Sequence, residues 1–184
     1  MQPKESLEER TEMAHMHDEF LIRLDESMKH KQYVETSWLC YSIFEQRINR
    51  LILKQISRCP RPPRVNGVPV AISTRINCLK ELCIHRYGGY GEFDYDLLCK
   101  IDTWCKERNA LVHDLITVSK YKQFDALFES LAIEGYPLVK RLYGEATKIR
   151  NWWTKTKELD DFPEFKCKCK KKRCICDEGF EIAE

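Results

Sequence analysis

The stretch Lys106-Glu107-Arg108-Asn109-Ala110-Leu111-Val112-His113-Asp114-Leu115 decides the reading of this chain. It falls late in a segment from Asp94 to about Ser119, where Leu97, Ile101, Trp104, Leu111 and Leu115 recur at three- and four-residue steps or multiples of them. That periodicity predicts an amphipathic helix. Arg108 falls on the same stripe, and a guanidinium on an apolar face needs a carboxylate partner or an anionic ligand, because burying it unpaired is costly. Asn109 and His113, four residues apart, share a neighbouring face about 100° round the helix. A permanent cation, an amide and an imidazole of a type that titrates near neutrality thus crowd one turn and a half. Such a set suits phosphate chemistry.

The chain contains its own control for this spacing. Arg10 and His15 are also separated by four residues, in a first helix with polar, charged surroundings. The second instance differs in having Asn109 directly after Arg108, in the intrusion of Arg108 into an apolar stripe, and in its place late in a helix.

Around that helix the rest of the chain reads as helical too. With 184 residues, 43% hydrophobic and 33% charged, it fits one globular body with a short appendage, long enough to bury a core. The formal net charge of +2 predicts no particular partner. Met13, Met16, Phe20, Leu24 and Met28 form a stripe on a helix from Leu7 to about Lys29, where His15 and His17 point to different sides and read as surface residues. After a break at His30-Lys31, a second helix runs from Tyr33 to about Ser57, with Val34, Trp38, Tyr41, Ile48 and Ile52 on one face. Glu45 lies on that face as well, the second charge on an apolar stripe. If the two helices pack, Glu45 and Arg108 neutralise each other, either as an internal ion pair or as a device that aims Arg108 at a phosphate.

The four prolines of Cys59-Pro-Arg-Pro-Pro-Arg-Val-Asn-Gly-Val-Pro69 predict a loop, in which Arg61 and Arg64 are solvated charges or nucleic-acid contacts. A third helix carries Ile72, Ile76, Leu79 and Cys83 on one side. It stops before Tyr87-Gly-Gly-Tyr-Gly91, with Gly88 as its cap and Asp94 as the cap of the next helix; Tyr87 or Tyr90 is a candidate for lining the cleft. That glycine-rich loop lacks the preceding strand and the Gly-Lys-Ser/Thr of a phosphate-binding loop. Phe124, Leu127, Phe128 and Leu131 mark a helix from Tyr121 to about Glu134. Gly135-Tyr136-Pro137 then interrupts, and a last helix with Val139, Leu142, Tyr143, Ala146, Ile149 and Trp153 runs to about Lys157. Trp152 and Trp153 together would present aromatic surface, as a core or dimer contact rather than a base-stacking platform. The expected fold is all-α, an up-and-down bundle of five or six helices over residues 1–157.

Residues 158–184 form a separate, basic, cysteine-rich tail. Cys167, Cys169, Cys174 and Cys176 in a C-x-C-x4-C-x-C array can supply an all-thiolate structural zinc site; a metal-free tail, or thiols bridging two chains, is the alternative. Six basic residues from Lys166 to Arg173 would attract a polyanion, with RNA the natural partner. The other cysteines, Cys40, Cys59, Cys78, Cys83, Cys99 and Cys105, read as reduced thiols, mostly in the core. A charged amino terminus without a signal-peptide core, and no apolar run of bilayer length, predict a cytoplasmic protein without a membrane partner.

Arg108-Asn109-x-x-x-His113 resembles the signature of the HEPN superfamily, small helical domains many of which are metal-independent ribonucleases and toxins. The resemblance covers about 157 residues in architecture and this one motif in sequence. It implies a homodimer whose two His113 side chains share one composite cleft, needs no cofactor for catalysis, and points to a toxin or antiviral effector with an antitoxin or other regulatory protein. In the chemistry expected, a ribose 2′-hydroxyl attacks the adjacent phosphate with His113 as general base or acid. Arg108 stabilises the charge on phosphorus, and Asn109 orients the imidazole or the phosphate. Glu45 and Asp114 are the carboxylates that would support the site. In one toxin branch the His is followed two residues later by a Tyr that is modified with nucleotide; here that position is Leu115, which puts such regulation in doubt. The contrasting expectation is a non-catalytic helical module that binds nucleotide, RNA or another protein, with Arg108 paired internally. A zinc hydrolase centred on the tail is disfavoured, since four thiolates leave no position for water.

Overall fold

The computed structural model describes residues 7–55, 64–65, 68–69, 71–84, 88–114 and 121–156. These form five α-helices: α1 (Leu7–Lys29), α2 (Tyr33–Gln55), α3 (Ile72–Ile84), α4 (Tyr95–Asp114) and α5 (Tyr121–Thr156). A 3-10 turn, Gly88–Glu92, precedes α4. The proline-rich segment expected to be a loop carries one minimal antiparallel pairing of β1 (Arg64–Val65) with β2 (Val68–Pro69), Arg64 opposite Pro69 and Val65 opposite Val68. Pro69 at the end of such a ladder removes no central hydrogen bond.

The chain divides into two compact units. One comprises residues up to Phe44 together with Thr103–Lys140; the other comprises Glu45–Asp102 and the residues from Arg141 onward.

In the first unit α1 ends and α2 begins through a tight cap. Gln32 N donates to Ser27 O at 2.8 Å and Lys31 N to Met28 O at 3.2 Å, the paired bonds of a Schellman motif, with Lys31 in the left-handed position at φ 58°. Buried Ser27 and Thr36 satisfy each other across this corner: Thr36 Oγ1 donates to Ser27 Oγ at 2.9 Å, and Ser27 Oγ donates to Leu24 O at 3.0 Å. The core includes Trp104, which meets Phe44 edge to face at 5.2 Å, and Leu24, Ile43, Phe128 and Val139 are buried in the same unit.

Two expectations for these helices are corrected here. The buried stripe at the start of α2 consists of Thr36, Leu39, Cys40, Ile43 and Phe44, whereas Val34 and Trp38 are 42% and 50% exposed. Apolar residues wrap more than half of that helix, so periodicity alone did not choose the inward side. Likewise Gly135-Tyr136-Pro137 does not end a helix, since α5 runs on through Pro137. The carbonyl of Ile133, which Pro137 leaves without its helical donor, belongs to a residue 54% exposed, where water can satisfy it. Leu127, one of the apolar residues that mark the first part of α5, is 51% exposed.

The second unit packs Ile48, Ile52, Ile76, Leu79, Leu97 and Ile101. Asp94 caps α4 as expected, accepting from Leu97 N at 3.0 Å while Arg141 Nη2 holds its other oxygen at 2.6 Å. Although burial works in the opposite direction, these bonds keep the Asp94 carboxyl below the usual range. Gly88 begins the 3-10 turn, and residues 85–87, through which it would cap α3, lie outside the described residues. Gly89 takes the face of Trp152, which would lie 2.9 Å from any Cβ there, so Trp152 packs internally, as one of the two expected roles for it requires.

Candidate functional site

Helix α4 places Arg108, Asn109 and His113 within its last two turns, in the first unit. Arg108 lies on the inward stripe and is 5% exposed. Its guanidinium stacks on aromatic faces of α2: the carbon Cζ lies 4.0 Å from the ring centre of Trp38 and 4.7 Å from that of Tyr41. Nη1 donates to Asn109 Oδ1 at 3.2 Å. Nε and Nη2, both buried, have no hydrogen-bond acceptor among the described residues. Burial pulls the guanidinium below its ordinary pKa, offset in part by Tyr41 and Cys105.

The balance of forces at Arg108 is informative. Stacking of a cation on an aromatic ring contributes about 0.5–2 kcal/mol. The penalty for taking a cation out of water is several kcal/mol even after relaxation. Aromatic faces alone therefore leave Arg108 under-compensated, since its buried Nε and Nη2 have no acceptor among the described residues.

Asn109 is half-buried and is oriented by Arg108; His113, one turn further along the same face as Asn109, is exposed, as is Asp114 at the end of the helix. The imidazole is exposed one turn beyond the half-buried amide, and the covered guanidinium lies about 140° from it round the helix axis. That combination can serve general acid–base chemistry on a phosphodiester.

Glu45 has a different partner from the one expected. Its carboxylate accepts from Arg75 Nη1 at 3.2 Å within the second unit, where Arg75 is 2% exposed. The sequence reading missed Arg75 because it considered only Arg108 as a buried cation, although Arg75 directly precedes Ile76 on the face that α3 buries. Tyr90 is fully buried and donates to Leu51 O at 2.6 Å, a core role with no place in a cleft. The aromatic pair that does meet the motif, Trp38 and Tyr41, was visible only as part of an apolar stripe. Its signal was an aromatic residue one turn from another on α2, with an arginine to cover.

A concave surface at the start of α2, lined by Lys31, Gln32, Tyr33, Val34, Glu35, Asp125 and Phe128, contains none of the motif residues. Tyr87, Leu115 and the tail thiols Cys167, Cys169, Cys174 and Cys176 lie outside the described residues. Cys40, Cys83 and Cys99 are free thiols. Among the described residues no helix is long and apolar enough to cross a membrane.

No protein-family model matches the chain, and no match was found among curated proteins or solved structures.

Proposed function

We propose that this chain is a metal-independent endoribonuclease of the HEPN type, and that it acts as a homodimer. The observation that carries the reading is the buried guanidinium of Arg108, whose Nε and Nη2 have no acceptor among the described residues, beside Asn109 on the helix whose last turn carries exposed His113. In the reaction, His113 removes the proton of a ribose 2′-hydroxyl as its oxygen bonds to the adjacent phosphorus. The 5′-oxygen leaves with a proton supplied by the His113 of a second copy of the chain. Arg108 takes the charge that accumulates on the phosphoryl oxygens, and Asn109 holds Arg108 in place. The resemblance supports the role of a toxin or antiviral effector restrained by a regulatory protein, and the tail cysteines are suited to a structural zinc outside the reaction.

The product ends test this chemistry. Purified protein incubated with single-stranded RNA should leave 2′,3′-cyclic phosphates and 5′-hydroxyls. Products with 5′-phosphates would mean that water or hydroxide, not the ribose, attacks phosphorus, and would overturn the scheme.

One observation favours a second reading. Arg108 is almost entirely covered, with Trp38 lying over it. A non-catalytic module that binds RNA or nucleotide without cutting it would use Arg108 to fix the packing of α4 on α2 and leave His113 idle.

A further inference from the structure

Trp38 is the most conspicuous exposed aromatic residue of the first unit. Half of its surface is open to solvent, which removes from it about half of the stabilisation a buried indole contributes. Its ring also rests on Arg108, the residue whose Nε and Nη2 are buried without an acceptor. These facts share one explanation if the indole has a ligand that is itself flat and carries an anion one bond network away. A nucleotide has that form: every base offers a π-face, and its phosphate lies within reach of a cation beside the stacking residue. Bases in a duplex stack on each other and are unavailable, which selects single-stranded RNA.

We propose that Trp38 is a nucleobase platform that also covers Arg108 in the free protein. Its ring shifts from the guanidinium when a base of single-stranded RNA stacks on it, and the adjoining phosphate takes Nε and Nη2 of Arg108. The proposal rests on the ribonuclease reading for the identity of its ligand and adds a residue that the motif does not contain. Trp38 touches a base and not the reacting atoms, so it is a substrate-positioning residue. Tyr41, half-buried on the other contact of the guanidinium, keeps Arg108 in place as the indole moves.

The test uses the full chain carrying His113→Ala, so that binding is read without cleavage. All four tryptophans are labelled with 5-fluorotryptophan, and the Trp38 signal in the fluorine spectrum is identified by its loss in Trp38→Phe. A short single-stranded RNA should shift that signal, whereas an abasic ribose-phosphate chain of equal length and inorganic phosphate should leave it nearly in place. Trp38→Leu should weaken binding of the RNA about tenfold or more, and Trp38→Phe by only a few-fold, since a ring remains to stack on. An equal shift with the abasic chain, unchanged binding in Trp38→Leu, or no response to RNA would each overturn the platform. The two proposals fail separately. RNA that moves the Trp38 signal without being cut by the unmutated protein removes the nuclease and leaves the platform, while cleavage with an unchanged KM in Trp38→Leu does the reverse.

Discussion

A Cβ built on Gly135 would stand 2.7 Å from Cε2 and 2.8 Å from Nε1 of Trp104, so the indole occupies the space that a side chain at Gly135 would fill. From that position Trp104 Nε1 donates to Leu131 O at 2.8 Å, which binds α4 to the middle of α5 in the first unit. Gly135 is therefore a packing residue within a helix and not a helix end. Gly135→Ala should destabilise the protein by about 1–3 kcal/mol in a denaturant titration, the usual cost of overpacking, even though Ala is the better helix former. An unchanged or raised midpoint would show that the indole has room to move.

Lys31 holds a left-handed conformation that costs a residue with a Cβ about 1–2 kcal/mol. Lys31→Gly removes that strain, and the added freedom of glycine in the unfolded chain returns part of it. The expected outcome is a gain of about 0.5–1 kcal/mol in unfolding free energy. A loss would show that the cap depends on the lysine side chain.

Alkaline conditions should weaken the protein through two thiols. Burial, with Cys105 beside it, pushes Cys40 up to about 12; burial, with the Glu145 carboxylate nearby, pushes Cys83 up to about 12. Both folded values lie above the unfolded value of 9.0. The unfolded chain thus releases these protons first, and the stability present below that pH falls as pH rises through the window from 9.0 to about 12. Urea titrations near pH 8 and near pH 10 should differ by about 1 kcal/mol per thiol. Cys40→Ala and Cys83→Ala should each be less stable near pH 8 and lose less on going to pH 10. Equal losses in the variants and the parent would assign the alkaline sensitivity to other groups.

Arg108→Met separates the two functional readings. A methionine fits beneath Trp38 and Tyr41 without the desolvation penalty of a cation, so stability should stay within about 1 kcal/mol of the parent or rise. RNA cleavage should be lost. A fall of more than about 2 kcal/mol would make Arg108 a structural residue and favour the non-catalytic module.

Helix identity was legible wherever apolar residues form a single stripe between strong end signals. The end of α1, the start of α2, the inward face of α3 and the Asp94 cap all agree with the structure. Trp104 and Arg108 on one stripe of α4 were legible for the same reason. Choices between competing partners were not. Glu45 could be matched to either of two arginines distant in sequence, and the nearer, Arg75, holds it. Trp38 was assigned inward by its spacing with Val34, Tyr41, Ile48 and Ile52, but Leu39, Cys40 and Ile43 take that side. Gly135 and Pro137 carry strong break signals locally, and tertiary packing on Trp104 overrides them.

The most direct measurement of the central claim is cleavage of single-stranded RNA in EDTA by the purified protein, beside His113→Ala. Cleavage that persists in chelator and falls by a factor of about 100 or more in the variant is the expected result for a general acid–base residue. Equal cleavage by both proteins, or activity that disappears on chelation, would contradict a metal-free mechanism centred on His113.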